Sequence, residues 1–143
     1  MNAKQRESIR ILRSAIKPFI EIDGAMSVNR LEALLAVLSE GFTDMIDVRE
    51  YFDREHGLSK SALSRMISWW GDEAYLQFKT DEDGNQVIPD RPEGQGFLKF
   101  TPDPRDYRRR NVTVTPEGEQ FGQAIADNLA VQFEEHVERW QAK

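Results

Sequence analysis

Apolar and polar positions alternate with a helical period in five segments of the chain and with a strand period in one. Over residues 3–19, Ile9, Leu12, Ile16 and Phe19 form a stripe that Ile11 and Ala15 widen. Pro18 predicts the end of this helix and Asp23-Gly24 a turn beyond it. Ser27 is the expected N-cap of a second helix, in which Val28, Leu31, Leu34, Leu35 and Leu38 face inward as far as Gly41. A third helix, capped by Thr43 or Asp44, turns Met45, Val48, Tyr51 and Phe52 inward and stops near His56-Gly57. The fourth starts at Ser59 and buries Ala62, Leu63, Met66, Ile67 and Trp70. The fifth opens at Thr115-Pro116, the proline suiting a first helical position. Phe121, Ile125, Leu129, Phe133, Val137 and Trp140 then recur about every four residues towards the C-terminus. So long a terminal helix leaves apolar surface uncovered in a monomer, which points to oligomerisation.

The third and fourth helices are separated only by Gly57-Leu58-Ser59, a helix-turn-helix pattern. The outer face of the fourth carries Lys60, Ser61, Ser64, Arg65 and Ser68. Small hydroxyls let a helix approach a groove closely, and hydroxyls and cations donate to phosphates and base edges. Taken alone, the same pattern describes an ordinary solvated face.

After Trp70 the period is lost. Tyr75–Phe78 and Val87–Ile88 are expected to pair across Asp83-Gly84, with a helix continuing to Leu76 as the alternative. The acids of DEDGN suggest calcium, but the glycine and a closing glutamate are not at the required spacing. GFLKFTPDPRDYRRRNVTVT then reads as two strands around a charged tip, with Leu98 and Phe100 on one face and Val112 and Val114 on the other strand. Arg105, Arg108, Arg109 and Arg110 cluster at the tip, where Asp106 can pair with Arg108. Arginines on an extended hairpin suit a minor groove or a phosphate backbone. Because alternate strand residues face opposite ways, Arg108 and Arg110 are expected to share a face that Arg109 leaves. The fold expected is mainly α with a small β-hairpin, an α+β chain of one domain over 1–143.

The formal net charge of −6 over 143 residues argues at first against nucleic acid. The distribution changes that. Residues 1–19 carry five cations against one acid, and residues 91–110 six against three, whereas residues 20–55 carry nine acids against three cations. Basic patches on an acidic body can hold phosphate locally. There is no cysteine, which excludes disulfides and thiolate metal sites. With no signal-type run and no stretch of about 20 apolar residues, a cytoplasmic protein without membrane contact is expected.

The motifs LSKSALSRMISWW and GFLKFTPDPRDYRRRNVTVTPEG resemble the recognition helix and the wing of the MarR family of winged helix-turn-helix regulators. Asp103, Pro104, Asp106, Arg108, Thr115 and Gly118 match the wing pattern in place; Tyr107 stands where arginine is usual and Val114 where leucine is usual. Two departures are an insertion at about 72–95 and a single helix after the wing. The resemblance implies a homodimer that binds double-stranded DNA, a transcriptional regulator expected to repress, in a prokaryotic or phage-infected cell. Residues 27–115 would form the DNA-binding part. Ser59, Lys60, Ser61, Ser64 and Arg65 would serve the major groove, and Arg105, Arg108, Arg109 and Arg110 the wing, ordered by Asp103 and Asp106. The flanking helices, 1–26 and 116–143, would dimerise through Ile9, Leu12, Ile16, Phe121, Ile125, Leu129, Phe133, Val137 and Trp140. Family members also bind small aromatic effectors, and no residue here identifies one. No cofactor or metal is expected. The alternative is a winged-helix adaptor that binds protein without reading DNA. An enzyme is not expected: His56 is placed at a helix C-terminus and His136 on the flank of the last helix, with no nucleophile–base pair or phosphate loop in the sequence.

Overall fold

The computed structural model describes residues 1–71, 79–87 and 94–142. Among the described residues the chain is mainly helical, with five helices and two small antiparallel hairpins. It divides into two compact units, residues 28–119 and residues 1–27 with 120–143.

In the larger unit, α2 (Val28–Glu40) ends at Gly41, whose φ of 67° is a left-handed value that glycine adopts freely. Its buried face is Ala33, Leu34, Ala36 and Val37. That face is rotated from the expected leucine stripe: Leu31, Leu35 and Leu38 are half-buried and Val28 is 80 % exposed. The small residues set the face because they let a neighbouring element come close. Helix α3 (Met45–His56) is capped by Asp44, whose Oδ1 accepts from the Ile46 N–H at 2.8 Å. It ends at Gly57 in the αL conformation. Helix α4 (Lys60–Trp70) is capped by Ser59. Met45, Val48 and Phe52 of α3 and Leu63, Ile67 and Trp70 of α4 are all buried in the core. Trp70 is fully buried; its indole N–H donates to the Arg30 carbonyl at 2.7 Å and its ring stacks on Phe97.

Strands β1 (Lys79–Thr80) and β2 (Gln86–Val87) pair across the Asp83-Gly84 turn. Asp81 closes that turn, its Oδ1 accepting from the N–H groups of Asp83 and Asn85. The first acid of DEDGN thus serves a turn. Tyr75–Phe78, Ile88 and the alternative helix to Leu76 lie outside the described residues.

Strands β3 (Leu98–Asp103) and β4 (Asp106–Val114) form the second hairpin, with Leu98 opposite Val114 and Phe100 opposite Val112. Leu98 and Val112 are buried. The ladder reaches further than the tip read from the sequence. Pro102 pairs with Arg110, and after an irregularity Asp103 pairs with Asp106. A further strand contact has no counterpart in the sequence reading: Val112 N–H donates to the Thr43 carbonyl at 2.9 Å, and Asp44 bridges Asn111.

Helix α5 (Pro116–Gln141) leaves the hairpin through Thr115-Pro116-Glu117-Gly118. Thr115 Oγ1 donates to the Gly96 carbonyl at 2.6 Å and accepts from the Gly118 N–H at 3.1 Å. A Cβ at position 118 would collide with the Phe97 carbonyl oxygen, so close backbone approach requires glycine there.

In the smaller unit, α1 (Ala3–Ile22) lies antiparallel to α5 from Gln120 onward. Phe19 meets Phe121 edge to face at 5.2 Å, Ser14 accepts from Gln132, and Glu7 accepts from Trp140. Asn2 and Gln5 cap α1 reciprocally. Pro18 does not end this helix, which runs four residues beyond it to Ile22. Proline forfeits one intrahelical hydrogen bond. Here Phe19, 2 % exposed, holds the following turn in place, and the chain breaks at the Asp23-Gly24 turn.

Candidate nucleic-acid interface

The helix-turn-helix residues separate by burial. On α4, Lys60, Ser61 and Arg65 are exposed, as is the cap Ser59, while Ser64 and Ser68 are half-buried. The opposite face is the Leu63, Ile67 and Trp70 core, so packing fixes which way the polar face looks. Arg65 Nε–H donates back to the Ser61 carbonyl at 3.4 Å, which leaves its terminal nitrogens outward.

The hairpin tip is ordered by its two aspartates. Asp103 Oδ1 accepts from the Arg105 N–H, and Asp106 Oδ1 accepts from the Arg108 N–H at 3.0 Å. Asp106 also stands 3.5 Å from Arg108 Nε, whose side chain is 94 % exposed. Arg105 is exposed as well. The three consecutive arginines take three directions. Arg108 projects into solvent. Arg110 lies over the Phe100 ring at 5.5 Å. Arg109 turns to Asp44 and forms an ion pair at 2.8 Å. Asp44 therefore has one oxygen on the first turn of α3 and the other on the hairpin. This diagonal pair follows from the Asp44–Asn111 bridge, which places Arg109 two residues away on the same face. Arg91, counted with this basic stretch in the sequence, lies outside the described residues.

The residues read as a dimer interface divide in the same way. Ile9, Leu12, Phe133 and Val137 are exposed, at 46–59 %, and are joined by Ile20 and Val131. Ile16, Phe121, Ile125, Leu129 and Trp140 are half-buried.

His136 corrects the sequence reading. It is 5 % exposed, not on a flank. Its Nε2 is 3.2 Å from Ser8 Oγ and its Nδ1 3.2 Å from Glu7 Oε2. The four-residue stripe of α5 drifts around the helix, so that by its end Gln132, His136 and Trp140 face α1 and Phe133 and Val137 do not. The order Ser8, His136, Glu7 has the look of a nucleophile with its base. However, Ser8 Oγ donates to the Lys4 carbonyl at 3.1 Å, so it meets the imidazole as an acceptor. Glu7 also receives the Trp140 indole N–H and the Arg139 guanidinium, both at 2.6 Å. The Trp140 hydrogen bond is the largest influence holding its carboxyl below the usual 4.5, against burial, with His136 and Arg139 adding to it. The group braces α1 against α5.

Among the described residues no three His, Asp or Glu side chains gather as metal ligands, and no described helix is long and apolar enough to cross a membrane. No protein-family model, curated protein or solved structure matches the chain.

Proposed function

We infer that this is a winged helix-turn-helix protein that binds double-stranded DNA. More narrowly, we read it as a MarR-like dimeric regulator acting on a specific operator, with repression as the expected direction. The observation that carries the reading is the pairing of two features in one unit: the exposed Lys60–Ser61–Arg65 face of α4, and a hairpin whose aspartates order its tip while Arg105 and Arg108 stay exposed. Thr43-Asp44 running beside β4 supports it, because it ties that hairpin to the start of α3. A helix fits a major groove, and an arginine-tipped hairpin fits the phosphates or minor groove beside it.

The homodimer rests on the smaller unit. Six large apolar side chains on α1 and α5 stand about half exposed or more. A second copy would cover them, and an inverted repeat in the operator would mirror its two-fold symmetry.

Selection from a random duplex library tests the reading, followed by a salt titration on the enriched sequence. The expected result is an inverted repeat with half-sites about one helical turn apart. The logarithm of affinity should fall steeply with that of salt, with a slope of about −0.9 per phosphate neutralised. Absence of enrichment, with a flat salt response, would replace this reading by the adaptor.

A further inference from the structure

Between α3 and the turn into α4 lies a cleft of about 290 Å³, lined by Arg49, Glu50, Asp53, Ser59 and Lys60 above Leu63. Arg49 is half-buried, and its buried Nε–H has no hydrogen-bond partner. Neither Arg49 nor Lys60 forms an ion pair among the described residues. Glu50 and Asp53 are exposed on the same cleft and approach neither cation to ion-pair distance. A buried guanidinium donor without an acceptor is costly, and partly buried arginines ordinarily find a carboxylate or a carbonyl. This one has carboxylates nearby and does not use them.

We propose that Arg49 and Lys60 together grip one backbone phosphate of duplex DNA lying along the polar face of α4. The inference rests on the DNA-binding reading and adds a contact to it. The terminal nitrogens of Arg49, unlike its buried Nε, are neither buried nor partnered among the described residues, and the planar fork they form suits two phosphate oxygens at once. The two carboxylates decide the source of that phosphate. They balance the two cations, so a free anion gains little from the local field. A phosphate delivered by a duplex already held through α4 and the β3–β4 hairpin is bound despite that field, so that removing one of the two carboxylates strengthens the contact. The contact is to backbone, so it positions the duplex and acts alike on every sequence.

The experiment uses the whole chain and the duplex enriched by selection. Arg49→Gln is expected to bind about tenfold more weakly. Its salt slope should be shallower by about 0.9, and the loss should be the same on a scrambled duplex. Glu50→Gln is expected to bind severalfold more tightly. A wild-type slope and affinity in Arg49→Gln overturns the inference and leaves the DNA reading standing. A wild-type chain that binds no duplex overturns both. Should Arg49→Gln fail to fold, Glu50→Gln decides, since its side chain is exposed; unchanged affinity there overturns the inference. Inorganic phosphate, titrated while the Arg49 Nε–H resonance is followed, should give no saturable shift. Saturation would reassign the cleft to small anions.

Discussion

Arg108 and Arg109 are adjacent in sequence and differ in what they touch. Arg108 is held by Asp106 and faces water, whereas Arg109 is spent on Asp44. If the hairpin enters a groove, Arg108→Ala should weaken binding more than Arg109→Ala and make the salt slope shallower by about 0.9. Arg109→Ala should lower affinity with the slope unchanged, because it loosens the hairpin without removing a phosphate contact. Equal slopes and affinities in the two variants would show that they share one role. The separation of Arg109 from its neighbours could be read from strand alternation. Its partner could not, because nothing in Phe42-Thr43-Asp44 marks a strand before a helix cap. Gly118 is the reverse case. The Thr-Pro-Glu-Gly motif is visible in the sequence, but the reason for its glycine is the Phe97 carbonyl 21 residues away. Gly118→Ala should cost about 2 kcal/mol or more by forcing backbone apart, read as a lowered urea midpoint.

Helix existence was legible for all five helices, since period, caps and glycine stops agreed. What escaped was how far each helix runs and which face it buries. Pro18 reads as a stop and is overridden by Phe19 packing on Phe121. The α5 stripe drifts, because a four-residue repeat does not match 3.6 residues per turn. That drift brings His136 and Trp140 to Glu7. The pairing has a testable pH dependence. Glu7 has its carboxyl lowered in the folded chain, so its contribution is fully present above the ordinary value of 4.5 and is lost as pH falls through the lower folded value. The stability of the α1–α5 unit, followed by urea unfolding between pH 6 and pH 3, should decline in acid. Glu7→Gln should flatten that part of the decline. A wild-type profile in Glu7→Gln would mean that the brace carries no linkage.

The molecule as a whole is acidic, and its interface reading depends on where the cations lie. Arg105 and Arg108 are exposed in the larger unit, and the smaller carries Lys4, Arg6, Arg10, Arg13 and Lys17 on one helix. The apolar side chains left open on α1 and α5 make the clearest prediction for assembly. Leu12→Glu combined with Val137→Glu should convert a dimer to a folded monomer in sedimentation, because both side chains are exposed and their loss leaves the chain's own core intact. Half-site affinity should remain while cooperative binding to an inverted repeat is lost. A wild-type mass would move the interface elsewhere. The apolar stripes of the sequence offer nine residues for this role, and only the fold separates those that are exposed from those that are half-buried.

Three backbone hydrogen bonds join the end of α4 to the start of the β3–β4 hairpin: Gln95 to Trp69, Phe97 to Trp70 and Gly96 to Gly71, at 3.0, 2.9 and 2.7 Å. Gly71 and Gln95, on either side of the intervening sequence, are therefore held close together. With the two ends of a loop fixed in a neck of this kind, doubling its length adds only about 0.6 kcal/mol of closure entropy. The neck is consequently a graft point. A fluorescent reporter, an epitope or another peptide could replace the acidic Asp81–Asp83 turn there, with the helix-turn-helix and its hairpin folding around the neck as before.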